Sequence, residues 1–395
     1  MKVIAVMLGL MLAASTLAAE VAFREPALQT PSTIDLEALQ VIDFDSDGDQ
    51  DVLAIGRWPT GSGLLLYQSN NGVLNWSAPA RMINVQGRVT RLLPGRDVTG
   101  DGRIDLVGIV EQGTFSFLTS WPNPGNIGFS FSSGFELPTG YRDAIVTDIT
   151  GDEVPDAVVL TPQQVIVRAG LRDGGYAAEV RSNVTTNARD FLPTALAAGD
   201  FNGDGNADVV IASSEAPTQN GSTRGDVTIL AGSRSGALSR FASSNIAASP
   251  IAAASMRSAR GQVAIVTSHA RGIVSTALFT TSGLISASGT HHMNSSSDLR
   301  LFAVDDANLD GQPDVWLRSP DAVLVIPGAK DFPSGDDPVE VRIGGLVLTA
   351  TAADVNGDRR PDLIFVIRVG SVGRVAVYLN TSTVPEPPRR RAIRK

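Results

Sequence analysis

The sequence predicts an all-β chain folded as a seven-bladed β-propeller of four-stranded antiparallel blades, closed by an N-terminal strand in the last blade. Three observations predict it. First, an Asp-rich turn of the form D-x-[D/N/T]-x-D-x-x-x-D begins at Asp43, Asp97, Asp148, Asp200, Asp306 and Asp354. The intervals are 54, 51, 52, 106 and 48 residues; the long one is twice 53, so a further unit is expected near Ala254. A repeat of this length built from short strands is the signature of a circular or solenoid array. Second, a short apolar run follows each turn, such as Val52-Leu53-Ala54-Ile55. The unit near Ala254 lacks the acids but keeps the run, as Val263-Ala264-Ile265-Val266-Thr267. Runs of this length, rich in β-branched residues and bounded by turn residues, read as strands. Third, the last unit is one strand short, and the N-terminus has a spare strand at Val21–Pro26.

Each unit divides into four strand-like pieces. In the unit around Asp200 they are Thr194–Gly199, Asp208–Ser213, Asp226–Ala231 and Ala237–Ala242. The last unit offers Leu346–Ala352, Asp362–Arg368 and Arg374–Asn380, and no fourth strand before the Pro-rich tail. Pairing Val21–Pro26 with that unit would join the chain ends and remove an exposed sheet edge.

The turns carry the chemistry. Side-chain oxygens at positions 1, 3 and 5 of a tight loop converge on one point, a backbone carbonyl at position 7 adds another, and glycine at position 6 permits the reversal. This is the first half of the EF-hand scheme for calcium. The second half differs, because the last acid stands at position 9 and a strand follows rather than a helix. In order, the loops offer Asp43, Asp45, Asp47, Asp49 and Asp51; Asp97, Thr99, Asp101 and Asp105; Asp148, Thr150, Asp152 and Asp156; Asp200, Asn202, Asp204 and Asp208; Asp306, Asn308, Asp310 and Asp314; and Asp354, Asn356, Asp358 and Asp362. Asp and Gly are also ordinary turn formers. Turn propensity does not explain six copies with acids at positions 1, 5 and 9, which repel one another without a cation. Magnesium prefers small octahedral sites that keep several waters, so calcium is the expected ion. Glu153 and Arg359 occupy position 6 of their loops, where a side chain in a left-handed turn costs roughly 1–2 kcal/mol. Those two sites are expected to be weaker.

These loops, with Ala198-Gly199-Asp200-Phe201, Asp208-Val209-Val210-Ile211-Ala212 and Val377-Tyr378-Leu379-Asn380, resemble the FG-GAP/VCBS repeat family of integrin alpha-subunit propellers and many secreted bacterial proteins. The resemblance spans about residues 21–381. It implies a propeller fold with calcium at the six intact loops, and no metal at the copy near Ala254. It is poorly specific for function.

The N-terminus carries an address. Lys2, the apolar stretch Val3–Ala14 and the small residues before Glu20 predict a signal peptide over 1–19, a propeller over 20–381 and a disordered basic tail over 382–395. A secreted or periplasmic chain is expected, with no membrane insertion after signal cleavage. There is no cysteine, so no disulfide and no lipid-bearing Cys. The net charge of −9 argues against nucleic acid. A monomer is expected.

In a propeller the turns between first and second strands lie at one end of the ring. The turns between second and third strands lie at the other, together with the connections between blades. That opposite face should carry Trp58, Tyr141, Arg142, Phe191, His269, Arg271, His291, His292 and the loop 214–224, while Trp121 should lie on the metal face. Trp58, Tyr141, Arg142, His269 and Arg271 are the candidate ligand-binding residues. A flat aromatic such as Trp58 can stack on a sugar, or it can cover a blade edge. The expected partner is a glycan or an extracellular protein. Catalysis has weak support. G-x-S-x-G, H-E-x-x-H and cysteine are absent, and the three histidines are poorly placed to share one metal. The expected chain is a non-catalytic binding module; the alternative is a hydrolase or lyase acting on polysaccharide at the propeller mouth.

Overall fold

The computed structural model describes residues 21–382, apart from 29–33, 59–60, 71–72, 75–80, 126–132, 185–190, 216–223, 247–249, 258–262, 270–272, 284, 293–298 and 329–337. The proposed signal peptide and almost all of the tail lie outside the described residues. So do Arg271 and the centre of the loop 214–224.

The chain opens with β1 (Phe23–Leu28). The first blade is β2 (Asp35–Ile42), β3 (Asp51–Trp58), β4 (Gly61–Tyr67) and, after a short hairpin of β5 (Ser69–Asn70) and β6 (Val73–Leu74), β7 (Arg81–Asn84). The second is β8 (Arg88–Arg96), β9 (Asp105–Gln112), β10 (Phe115–Trp121) and β11 (Ser133–Glu136). The third is β12 (Asp143–Thr147), β13 (Asp156–Leu160), β14 (Gln164–Gly170) and β15 (Tyr176–Asn183). The fourth is β16 (Phe191–Gly199), β17 (Asp208–Glu215), β18 (Gly225–Ala231) and β19 (Ser239–Ile246). The fifth is β20 (Pro250–Arg257), β21 (Val263–His269), β22 (Ile273–Phe279) and β23 (Ile285–His292). The sixth is β24 (Arg300–Asp305), β25 (Asp314–Arg318), β26 (Ala322–Ile326) and β27 (Val339–Arg342). The last is β28 (Leu346–Ala353), β29 (Asp362–Val369) and β30 (Val372–Asn380), completed by β1.

Among the described residues these strands form seven four-stranded antiparallel sheets. The first strands β2, β8, β12, β16, β20, β24 and β28 each contact the next, and β28 returns to β2, so the array is a closed ring. Within the fourth blade, the outermost strand begins at Ser239 rather than Ala237. A turn intervenes, with Gly236 at φ 76° and the Ser233 hydroxyl bonded to the Ala237 carbonyl oxygen.

The period-2 alternation of each strand explains the ring. On β3, Val52 and Ala54 face the last blade, packing with Ile364, Val366 and Val375. Leu53 and Ile55 face the second blade, packing with Val89, Leu106 and Val110. Both faces of an inner strand are therefore apolar. The buried residues separate into clusters that each span two adjacent blades. Trp316 is fully buried between the last two blades, where Phe23 and Phe302 meet it edge-on at 5.7 and 6.2 Å. Burial of each such large apolar side chain stabilises by about 1.5–3 kcal/mol.

Closure joins the two ends of the described chain. Phe23 pairs with Asn380 and Leu28 with Ala376, antiparallel. The register slips between Arg24 and Ala27, which accommodates Pro26, a residue with no N–H to give to a ladder. The Thr381 amide donates to the Ala22 carbonyl at 2.8 Å, and the Ala22 amide donates to the Ser382 hydroxyl at 3.0 Å.

Candidate functional site

The six Asp-rich turns link the first and second strands of their blades, so they share one end of the ring. They close by closely similar hydrogen bonds, the fourth loop differing in that its position-5 amide, Asp204, donates to Asn202 Oδ1 while Asp200 accepts from Gly203 and Gly205. The position-1 carboxylate accepts the amides of positions 5 and 6, as Asp43 does from Asp47 at 3.2 Å and Gly48 at 3.1 Å. In the second loop Asp97 accepts from Gly100, Asp101 and Gly102. The position-5 carboxylate accepts the amide of position 7, as from Asp49 to Asp47 at 2.8 Å.

Two positions take left-handed backbone. Position 6 does so at Gly48, Gly102, Gly205 and Gly311, and also at Glu153 and Arg359, both at φ 69°. The strain expected from the sequence at those two residues is therefore present. Position 4 was not anticipated: Gly100, Gly151, Gly203 and Gly357 take positive φ there, and so do Ser46 and Leu309. Without glycine at position 4, the first and fifth intact loops carry a similar cost.

Position 2 is an apolar plug. Phe44, Val98, Ile149, Phe201, Ala307 and Val355 are all buried between blades. The signal was visible as an apolar residue after the first acid of every loop.

The position-9 acid does more than close the loop. Asp51, Asp105, Asp156, Asp208, Asp314 and Asp362 are 0% exposed. One oxygen of each accepts the amide of position 2, and the other accepts an amide at the end of the third strand. For Asp51 these donors are Phe44 at 3.0 Å and Ser69 at 2.6 Å. Burial pushes these carboxyls up against the pull of the amides: Asp51 and Asp362 to about 6, and Asp314 to about 7. Asp105, Asp156 and Asp208 move in the same direction for the same cause.

Two asparagines extend the bonding across the ring. The Asn123 side-chain amide donates to the Phe44 carbonyl of the preceding blade at 2.6 Å. Asn380 does the same to Ala307 at 2.7 Å.

In the first loop, one carboxylate oxygen from each of Asp43, Asp45 and Asp51 lies within 4.8 Å of the others. Among the described residues no other three acids come so close. The reason is position 3, which is Asp here and Thr or Asn elsewhere. Neutral oxygens take that place in the other loops: the Thr99 hydroxyl stands 3.4 Å from Asp97 Oδ1 and 3.2 Å from Asp105 Oδ2. Burial, with Asp47 and Asp43 nearby, raises the Asp45 carboxyl as well. All-oxygen donors, mostly anionic and partly desolvated, fit a hard cation of calcium's size. Asp49 stands at position 7, half-buried and beside this cluster rather than within it. The loop of the fifth blade, expected to be metal-free, falls mostly in residues 258–262, outside the described residues.

A cavity of about 990 Å³ runs along the ring axis, lined by all seven innermost strands. At its mouth opposite the acidic loops, Arg91 is ion-paired with Asp143, whose other oxygen accepts the Leu196 amide. Arg142 lines the same mouth and is exposed. Arg300 and Arg318 also line the cavity.

The other ligand candidates are scattered. Trp58 and His269 end β3 and β21 on the opposite rim, but their side chains lie outside the described residues. Tyr141 packs against the core between the second and third blades, half-buried rather than free at the mouth. Phe191 and Trp121 stand at the expected ends of their strands, but both are buried. Trp121 fills the interface between the first two blades.

Comparison with known proteins places this architecture. The FG-GAP repeat model matches residues 192–230, which run from the first to the third strand of the fourth blade through its acidic loop. The chain is a β-propeller that carries an FG-GAP repeat in its fourth blade. No curated protein matches the sequence. Among solved structures, this propeller is similar to BBS1N, crystallised in complex with ARL6DN, with a TM-score of 0.57 and 10% identity over 93% of this chain and 99% of that one. It is also similar to an Agrocybe aegerita lectin that recognises non-reducing terminal N-acetylglucosamine, with a TM-score of 0.51 and 17% identity over 79% and 81%. At these identities the likeness is one of fold.

Proposed function

We propose that this FG-GAP propeller is a secreted or periplasmic, calcium-bound, non-catalytic binding module. Its ligand is a glycan or an extracellular protein, engaged at the channel mouth opposite the metal loops. The observation that carries the calcium reading is the convergence of Asp43, Asp45 and Asp51 within 4.8 Å, on a loop framework repeated in five further blades. Calcium would be held by positions 1, 3, 5 and 9 of each intact loop. Bound there, it neutralises carboxyls that burial and mutual repulsion otherwise destabilise, and so fixes the first hairpin of each blade. The ring of seven blades supplies the rigid mouth.

The binding reading is supported by the wide polar cavity at the axis, and by two propellers of similar fold, one crystallised with a protein partner and one recognising a sugar. The signal-like N-terminus supports export, where calcium is abundant enough to fill modest sites. A glycan array probed with the calcium-loaded chain, run beside a pull-down from extracellular material, tests the binding role. Specific capture in either supports it. Silence in both, with turnover of a polysaccharide by the same preparation, would replace it with an enzyme.

A further inference from the structure

We infer that the channel mouth is an acidic-sugar site: Arg300 and Arg318 take the carboxylate of a uronate-class saccharide, and the polar channel wall takes its hydroxyls. The inference rests on the binding-module reading and specifies its ligand.

Arg300 opens β24 and Arg318 closes β25, directly opposite each other across the strand pair. Two guanidinium groups side by side are repulsive unless an anion lies between or before them. Three other arginines near this end of the ring show one way this is resolved, while the exposed Arg142 at the mouth has no carboxylate partner among the described residues. Arg57 pairs with Glu37 at 2.8 Å, Arg91 pairs with Asp143, and Arg368 lies 3.9 Å from Asp35. Among the described residues no carboxylate pairs with Arg300 or Arg318. Arg318 is half-buried, and among the described residues its hydrogen bond is a long one of 3.4 Å to the Val347 carbonyl. Its charge is disfavoured first by burial and then by Arg300. An uncompensated, partly desolvated cation costs stability, and a chain of net charge −9 has carboxylates in excess to offer it. Instead both arginines face an open cavity of about 990 Å³, a volume that admits a saccharide.

Guanidinium presents a planar fork that matches a carboxylate. What favours a sugar over a bare acid is the rest of the wall. Gln40 lines the same cavity, and its side-chain amide offers hydrogen-bonding capacity that a sugar's hydroxyls can use and a bare carboxylate cannot fully match. Thr90, Thr349 and Thr351 also line the cavity.

The test is a titration of the calcium-loaded full chain with methyl β-glucuronide, methyl β-glucoside and acetate, followed by ligand-observed NMR. The glucuronide is expected to bind at least about tenfold more tightly than either of the others, as one charge-assisted contact implies. Arg318→Gln and the exposed Arg300→Gln should each remove that advantage. Arg318→Met should also raise the Tm, which shows that the half-buried charge is uncompensated and that the variant folds. Equal binding of glucoside and glucuronide would overturn the inference while leaving a neutral-glycan module standing. Acetate matching the glucuronide would overturn the sugar assignment in favour of a simple acid or an acidic side chain. Glucuronide binding unchanged in both glutamine variants would place the site elsewhere and overturn it too. Binding of none of the three would sink the inference alone, since the array and pull-down judge the binding module independently.

Discussion

Replacing Asp51 with alanine removes both halves of the bond network that ties the first acidic loop to its blade. The carboxylate is fully buried, and it accepts the Phe44 amide at 3.0 Å and the Ser69 amide at 2.6 Å. Each buried amide left without an acceptor costs about 1–3 kcal/mol, so the substitution should cost roughly 2–6 kcal/mol. Two terms modify this. The acid itself is disfavoured by burial, which raises it to about 6, so without metal the loss lies near the lower end. With calcium the loss should be larger, because a ligand goes with the amide acceptor. An unfolding entropy of about 2.1 cal/mol/K per residue, over residues 21–382, converts 3 kcal/mol into a Tm decrease of about 4 °C. The assay is differential scanning calorimetry of wild type and variant, each with calcium and with chelator. The control is Glu136→Ala, an exposed acid on the outermost strand of the second blade, expected within about 0.5 kcal/mol of wild type. Equal Tm values for Asp51→Ala and Glu136→Ala in both conditions would refute the idea that the position-9 acid ties the loop to its blade.

Glu153→Gly and Arg359→Gly each relieve a left-handed side chain at φ 69°. After the entropy of the added glycine they should stabilise by about 0.5–1 kcal/mol in urea titrations; a lower denaturation midpoint in both would contradict the strain. In chelator, stability should fall as pH rises from about 4 to 7. The folded chain keeps protons on Asp51, Asp362 and Asp314, at about 6, 6 and 7, where the unfolded chain, near 3.8, has released them. Their contribution is complete below the unfolded value and lost through the folded one; calcium should flatten the decline, and a chelated protein that gains stability over this range would oppose the assignment. Deleting residues 21–28 exposes the β30 edge and should lower the Tm while promoting association, measured by light scattering. A truncated chain that stays monomeric with its Tm unchanged would show that β1 does not close the ring.

The repeat, the blade boundaries and the closing strand were legible because each rests on local pattern: the turn, the apolar run and the missing fourth piece. N-terminal closure was expected at Val21–Pro26 and occurs at Phe23–Leu28, where a bulge absorbs Pro26. The loop's inner logic was partly hidden. Reading alternate positions as ligands leaves the others blank. Yet position 2 is the hydrophobic plug, position 4 is left-handed even at Leu309, and position 9 serves the backbone as well as the loop centre. The mouth was the least legible part. Arg91 and Asp143, or Arg318 and Val347, meet between blades, and no local pattern announces contacts made only when the ring closes. For the same reason Trp121 and Phe191, assigned to the rims, proved to be buried there.

Calcium counted directly per chain, by native mass spectrometry of protein first stripped with chelator and then equilibrated with the ion, bears most closely on the whole reading. Stepwise uptake of several ions, up to six, with fewer in Asp43→Ala and Asp200→Ala variants, is the expected result. A stripped chain that takes up none at millimolar calcium would mean that the acidic loops are held by their backbone hydrogen bonds alone.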